Sequence, residues 1–262
     1  MDQILGGNGM KVFSVIGITQ SGKTTTVEQI IGELTRRRYS VGSVKDIHFE
    51  AFALDTPGTN TDRHRQAGSS LVTARGLKET DILFPESLTI EKILEFYNQD
   101  WVVLEGVQEI NAPKIVCAHD EEGIDKLLDE STMAIAGRIA NTGLKEYKGV
   151  PVFNALTQPV ELTDYVLETV PQPLPDYDAL CCGLCGRSCR ELLGEILRGN
   201  KSREDCQLKQ VVKLEIGGKP ITIVPFVQEV LARTLTALVS TLDGYEQGKE
   251  ISLVIPGEKA NG

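Results

Sequence analysis

The sequence predicts an α/β fold in which a mostly parallel sheet is flanked by helices. Residues 11–16 are a short apolar run, as expected of a buried strand, and residues 41–44 are a second run of this kind. Between the two runs, apolar residues recur at helical spacing: Val27, Ile30, Ile31 and Leu34. A strand, a helix and a strand in this order begin a parallel sheet.

The same alternation continues further along the chain. A second helical stripe consists of Ile90, Ile93, Leu94 and Tyr97. Further strands are expected at residues 70–74, 101–104, 114–118, 133–136 and 151–153. These elements extend the sheet begun by the first unit.

A glycine-rich motif connects the first strand to the first helix. It reads Gly17-Ile18-Thr19-Gln20-Ser21-Gly22-Lys23-Thr24 and matches the phosphate-binding pattern G-x-x-x-x-G-K-[ST] in the required context. Backbone N–H groups of such a loop point at phosphate oxygens, the lysine reaches the β- and γ-phosphates, and the Thr24 hydroxyl binds Mg²⁺. The motif therefore predicts a P-loop NTPase fold whose nucleotide-binding residues are Gly17, Gln20, Ser21, Gly22, Lys23, Thr24 and Thr25.

An acidic residue at the end of another strand normally completes such a site. Glu105 follows the 101–104 strand and is the first candidate to hold the Mg²⁺ shell or orient a water; the alternative is a solvated carboxylate at a strand end. Asp55 is the second candidate, but a Thr-Pro-Gly turn also explains that local sequence. The segment 62–65, Asp-Arg-His-Arg, suits either an anionic ligand or a solvated helical face. No Asn-Lys-x-Asp signature is present, so spacing does not indicate which base is bound.

The chain divides at a proline-rich stretch. We expect a nucleotide-binding domain at residues 1–169, a linker at 170–178 with prolines at alternate positions, and a small α+β cysteine-rich domain at 179–262. The last part is expected to contain a hairpin around Gly217-Gly218, a helix from Pro225 to about Leu242, and a closing strand at 251–255.

Five of the six cysteines lie between Cys181 and Cys206. The spacing C-x2-C-x3-C-x16-C suits a [4Fe–4S] cluster, with zinc or unligated thiols as alternatives, and Cys181 can replace the first ligand. Cys117 stands apart and is interpreted as a core thiol. The predicted iron–sulfur ligands are Cys182, Cys185, Cys189 and Cys206.

Composition excludes several classes of partner. The formal net charge of −10 argues against nucleic-acid binding, which needs surplus Lys and Arg. No apolar run reaches the ~20 residues of a membrane span, and the N-terminus does not have the pattern of a signal peptide. We therefore expect a cytoplasmic location, without membrane or nucleic-acid partners.

The motifs resemble the molybdopterin-guanine dinucleotide biosynthesis protein B family over roughly residues 11–165. The resemblance rests on the P-loop, on residues 55–68 (Asp-Thr-Pro-Gly-Thr-Asn-Thr-Asp-Arg-His-Arg-Gln-Ala-Gly), and on Val103-Leu-Glu-Gly106 with Pro113-Lys-Ile-Val116. The sequence departs from that family at residues 45–48, Lys-Asp-Ile-His, where the family has a His-rich stretch. The cysteine-rich part is absent from short family members. It looks like the iron–sulfur domains of corrinoid-linked proteins, with one residue fewer between the second and third cysteines.

The resemblance implies a GTP-binding, weakly hydrolysing dimer that assists attachment of GMP to molybdopterin, with phosphates at Gly22, Lys23 and Thr24. The implied partner is a molybdenum cofactor guanylyltransferase or a cofactor-receiving enzyme. We therefore expect an accessory GTPase of molybdenum (or tungsten) cofactor biosynthesis carrying GTP, Mg²⁺ and a [4Fe–4S] cluster. The alternatives are a nucleotide-driven metal-centre insertion factor and a non-hydrolysing nucleotide-binding adaptor.

Overall fold

The computed structural model describes residues 10–49, 52–53, 55–175, 185–206, 212, 214–216, 219–221, 223, 225–249 and 251–255. Its strands are β1 Lys11–Gly17, β2 Val41–Lys45, β3 Val72–Arg75, β4 Thr80–Leu83, β5 Trp101–Glu105, β6 Lys114–Cys117, β7 Thr132–Ala136, β8 Glu146–Tyr147, β9 Val150–Pro151, β10 Glu215–Ile216 and β11 Lys219–Pro220. Its α-helices are α1 Lys23–Arg36, α2 Asn60–Gln66, α3 Ile90–Leu94, α4 Glu121–Asp125, α5 Pro159–Thr169, α6 Cys189–Leu197 and α7 Pro225–Val239. Short 3₁₀ helices span Arg138–Thr142 and Arg203–Asp205.

Five strands form the central sheet in the order β2-β5-β1-β6-β7, and every neighbouring pair is parallel. This confirms the predicted α/β fold with a mostly parallel sheet. The register pairs Lys45 with Glu105 and Gly17 with Cys117, so the carboxyl ends of these strands lie along one edge. Ligands of open parallel sheets bind at that edge, and here it carries the P-loop.

Helices cover both faces of the sheet. Because side chains alternate along a strand, Phe13 and Val15 pack on one face, in a core shared with Ile30 of α1 and Leu162 of α5. Val12 packs on the other face, in a second core with α3. A third core joins α4 to β6, β7 and the 3₁₀ helix after β7. Burial on both faces explains why the strands read as continuous apolar runs.

Several elements differ from the prediction. The strand expected at 70–74 is β3, and it pairs antiparallel with β4 in a hairpin separate from the central sheet. In place of the 151–153 strand, β9 forms a hairpin with β8, while Val152 makes a single parallel bridge to Ile135. The prediction of a closing strand at 251–255 is wrong. These residues form no strand, and Val254 is 84% exposed.

The carboxy-terminal part makes contact with the central domain through α6. Leu192 and Leu193 are fully buried, Leu197 packs against the core of α1 and α5, and Arg190 forms an ion pair with Asp129 at 3.5 Å. The strands β10 and β11 pair antiparallel, as expected of the predicted hairpin, and each has two residues. The domain boundaries 1–169, 170–178 and 179–262 stay predictions. Within the described part of the chain, no helix is long and apolar enough to cross a membrane.

Candidate nucleotide site

The P-loop turns tightly between β1 and α1. At Gly17, φ is 156°, and a Cβ atom there would lie 2.2 Å from the Cys117 carbonyl oxygen, so only glycine fits. Gly22 precedes α1 in a left-handed conformation and, among the described residues, no side chain caps the start of this helix. Its first N–H groups are therefore available to an anion, which the helix dipole also favours.

Lys23 folds back over the loop. Its ammonium group donates hydrogen bonds to the carbonyl oxygens of Gly17 at 2.8 Å and Ile18 at 2.7 Å. Ser21 lies beneath the loop, and its buried hydroxyl oxygen has no hydrogen-bond partner among the described residues. A loop with free helix N–H groups and a lysine held at its rim fits an anionic phosphate ligand.

Glu105 lies directly beside the first turn of α1. The Thr24 hydroxyl donates to Glu105 Oε1 at 2.7 Å, and the Lys45 ammonium donates to the same oxygen at 2.5 Å. Burial opposes the charge on Glu105, but the hydrogen bonds from Lys45 and Thr24 and the charges of Lys45 and Lys23 outweigh it and lower the pKa. The structure thus brings together Thr24 and Glu105, the hydroxyl and the carboxylate that the sequence singled out for Mg²⁺.

The loops after β6 and β7 support the P-loop from below. The Arg138 N–H donates to the Ser21 carbonyl at 3.0 Å, and a Cβ atom at Gly137 would lie 2.2 Å from that same oxygen. A ring nitrogen of His119 lies 3.2 Å from the Thr19 carbonyl oxygen. Sequence reasoning missed Lys45, His119 and Gly137. Their positions could have identified them as site residues, because each lies at or just beyond the carboxyl end of a strand of the central sheet.

The Asp55 carboxylate forms hydrogen bonds within its own turn. Its Oδ1 accepts hydrogen bonds from Thr59 at 2.7 Å and Thr61 at 3.0 Å, while Oδ2 is buried without a partner among the described residues. The hydrogen bond from Thr59 is the main reason why its pKa is lowered. These contacts match the turn explanation, and a catalytic role for Asp55 stays a prediction.

The basic segment after Asp55 forms helix α2. Asp62 is buried and accepts hydrogen bonds from the Gly58 N–H at 2.8 Å and from Arg65 at 3.0 Å. Arg63 and His64 are exposed. Arg65 is therefore paired with Asp62 within helix α2. An anion-binding role of the segment would depend on Arg63 and His64.

Cys185, Cys189 and Cys206 belong to one hydrophobic cluster with Leu174, Leu192 and Leu193. Cys181 and Cys182 lie outside the described residues, and within those described no group of three His, Cys, Asp or Glu side chains is arranged to hold a metal ion. Cys189 begins α6, where Ser188 and Glu191 form a capping box. The four-cysteine ligand set stays a prediction. Cys117 is completely buried, and burial raises its pKa to about 12, as expected of a core thiol.

The fold and the site define a nucleotide-binding P-loop protein. A family described as MobB, molybdopterin guanine dinucleotide synthesis protein B, matches residues 12–138. A Methanocaldococcus jannaschii protein, named as a molybdopterin-guanine dinucleotide biosynthesis adapter, is 30% identical over 257 residues, covering 95% of this chain and 99% of the relative. The chain therefore belongs to the MobB family.

Bacterial relatives match a shorter part. A Bacillus subtilis protein named for the same adapter role is 28% identical over 160 residues, which cover 60% of this chain and 91% of the relative. The crystal structure of Bacillus subtilis MobB superposes with a TM-score of 0.52 at 25% identity, covering 62% of this chain and 99% of that structure. The P-loop fold is thus shared over most of the bacterial protein.

Proposed function

We propose that this protein binds GTP with Mg²⁺ in the P-loop and acts as an accessory protein of molybdenum (or tungsten) cofactor biosynthesis. In this role it assists the formation or delivery of molybdopterin-guanine dinucleotide. The observation that carries the proposal is the contact of Thr24 with Glu105 beside an uncapped helix N-terminus. The assignment to this cofactor pathway is supported by the names of the relatives.

The residues have distinct roles in this proposal. Gly17 and Gly22 let the loop approach the phosphates, and Gln20, Ser21 and Thr25 complete the loop and the first helical turn around them. Lys23 leaves its two carbonyl acceptors and reaches the β- and γ-phosphates. The Mg²⁺ carried by the nucleotide neutralises phosphate charge, with Thr24 as a direct ligand and Glu105 holding its shell or a water.

Lys23→Ala tests the phosphate site. We expect GTP affinity to fall by about 100-fold or more, because the phosphates lose a full charge in a partly enclosed site. Calorimetry with GTP and with ATP measures the loss and the base preference together. Lys126→Ala removes an equal charge from an exposed pair with Glu122 and should leave both affinities unchanged. Equal GTP affinity in Lys23→Ala and unchanged protein would reduce the loop to a structural turn.

The pathway role needs a test in cells and one in solution. Deleting the gene should lower the dinucleotide form of the cofactor, whereas a metal-centre insertion factor would leave the dinucleotide intact and its target enzyme without metal. The partner in the proposal is a cofactor guanylyltransferase or a cofactor-receiving enzyme, and the protein acts as a homodimer in the cytoplasm. GTP turnover measured with and without the partner separates a weak GTPase from a non-hydrolysing adaptor.

A second proposal concerns the cysteines: Cys182, Cys185, Cys189 and Cys206 hold one [4Fe–4S] cluster. Its support is the position of Cys185, Cys189 and Cys206 in a single cluster of side chains. Four thiolates are the usual ligands of such a centre. Protein purified without oxygen should be brown and contain about four irons per chain. Colourless protein with one tightly held zinc would instead support a zinc site.

A further inference from the structure

Lys45 and Thr24 converge on a single carboxylate oxygen. Both donate to Oε1 of Glu105, Thr24 from the first turn of α1 and Lys45 from the last residue of β2. The Glu105 side chain is almost fully buried, whereas that of Lys45 is 54% exposed. The ammonium group therefore neutralises Glu105 from the solvent side, at the place where a cation beside Thr24 would sit.

This position conflicts with a metal ion. Mg²⁺ bound to Thr24 and served by Glu105 would lie a few ångströms from the Lys45 ammonium group. Two like charges at such a distance repel strongly, even where solvent screens them. Both contacts draw on the same carboxylate, so we expect Mg²⁺ bound at this place to displace the ammonium group from Glu105.

The displaced ammonium group has solvent available to it. The Lys45 side chain is 54% exposed, and β2 is an edge strand of the central sheet. A lysine side chain can turn about its flexible stem, so Lys45 can leave Glu105 and become hydrated.

We infer that Lys45 is a positioning residue that competes with Mg²⁺ for Glu105 in the nucleotide site. Without metal it pairs with Glu105, and with Mg²⁺ and nucleotide bound its ammonium group turns into solvent. The inference rests on the proposed function, since it requires nucleotide and Mg²⁺ at the P-loop. It makes the position of a surface cation on β2 depend on the nucleotide state.

Lys45→Met tests this competition. Glu105 then lacks its ammonium partner, so Mg²⁺ no longer has to displace a cation. We expect the gain in GTP affinity on adding Mg²⁺ to increase about fivefold, the upper range for a half-exposed ion pair. Calorimetry in EDTA and over a series of Mg²⁺ concentrations gives this gain directly. Lys126→Met, the charge-matched control, and Lys45→Arg should both keep the original gain.

Three results are decisive. An unchanged Mg²⁺ gain in Lys45→Met, with a thermal unfolding midpoint like that of the unchanged protein, would overturn the inference alone. A tenfold loss of GTP affinity in saturating Mg²⁺ would also overturn it, because Lys45 would then contact the phosphates. If the unchanged protein binds no GTP or ATP, the proposed function fails and the inference fails with it.

Discussion

The P-loop and the segment of residues 185–206, the cysteine segment, lie at opposite edges of one sheet. The P-loop follows the carboxyl end of β1, whereas α6 contacts residues 129 and 130, just before β7. The seven residues of β1 alone separate these edges by about 20 Å. A cluster in the cysteine segment therefore lies too far from the nucleotide to touch it, and any influence passes through the sheet.

The two regions are also held in different ways. The P-loop is fixed by hydrogen bonds to its carbonyl oxygens, such as those from the Arg138 N–H to Ser21 and from the Lys23 ammonium group to Gly17. The cysteine segment is held by packing of Leu192 and Leu193 and by the ion pair of Arg190 with Asp129. The contacts of the P-loop fix the positions of individual atoms, as a phosphate site needs. The contacts of the cysteine segment attach helix α6 to the surface of the central domain.

The alignments with the relatives differ in whether they can include both regions. The Methanocaldococcus jannaschii protein aligns with nearly the whole chain, whereas the Bacillus subtilis alignment of 160 residues is too short to contain both the P-loop and Cys206. The MobB family match, residues 12–138, contains the P-loop and ends before the cysteine segment. The nucleotide site should then work when the cysteine segment is damaged.

The largest expected effect is the loss of the proposed cluster in Cys206→Ser. Removing one of four thiolate ligands should abolish or degrade the cluster, with iron falling from about four per chain towards zero in anaerobic protein. GTP affinity should stay within about twofold, because the P-loop lies at the other edge of the sheet. Cys117→Ser is the control for loss of a thiol elsewhere and should keep the iron. A parallel loss of GTP binding in Cys206→Ser would contradict the separation of the two regions.

Glu105→Gln should act only at the nucleotide edge. We expect GTP hydrolysis to slow by roughly 10²-fold, the range for groups that position water or transfer protons, while GTP binding changes much less. Iron content should not change. Single-turnover measurement with radiolabelled GTP detects a slow rate directly. Unaltered turnover would move the catalytic role to Asp55, which Asp55→Asn would then test.

One pair of glycine substitutions compares the two regions with the same chemistry. A Cβ atom at Gly137 would lie 2.2 Å from Ser21 O, and one at Gly194 would lie 2.8 Å from the Glu130 Cβ. Each alanine should cost up to about 3 kcal/mol in the free energy of unfolding by overpacking. Gly137→Ala should also weaken GTP binding, whereas Gly194→Ala should release α6 and leave GTP binding unchanged. Gly32→Ala in α1, where a Cβ meets open space, should be neutral or stabilising.

The first region could largely be predicted because its signals are local in the sequence. Strand, loop and helix are consecutive from Lys11 to Arg36, and the motif itself gives the site. Glu105 was found from its position after a buried strand. Its partner Lys45 was not, because the pair exists only when β2 lies beside β5, and strand order is a tertiary property.

Elsewhere the local pattern was incomplete or misleading. Helix α5 was overlooked, although Leu162, Val166 and Val170 recur at helical spacing and are buried. An apolar run at 251–255 suggested a strand, but a strand also needs a neighbour to pair with. For the cysteines, spacing indicated a common site, and the structure brings three of them into one cluster without testing the ligand set.

The smallest expected effect concerns Asp129, which connects the cysteine segment to the central sheet. Its carboxylate pairs with Lys114 of β6 at 2.9 Å and with Arg190 of α6 at 3.5 Å. Burial works against the charge, but hydrogen bonds from Ser131 and Lys114 lower the pKa below 3.8. A lowered pKa in the folded state adds stability that is complete above the unfolded-state pKa and is lost as pH falls through the folded-state pKa.

Asp129→Asn should therefore cost about 2 kcal/mol in the free energy of unfolding at pH 6, because the buried Lys114 loses its partner. The deficit should shrink as the pH falls from 3.8 through the lower folded-state pKa, because Asp129 is protonated first in the unfolded chain and then in the folded protein, which loses the same interaction. Urea unfolding of both proteins from pH 6 to pH 2.5 measures this difference in the free energy of unfolding. Asp125→Asn, which removes the exposed pair with Lys148, should cost little at any pH. A deficit for Asp129→Asn that is the same at every pH would mean that the carboxylate charge does not hold α6 to the central sheet, and that α6 is held by apolar packing alone.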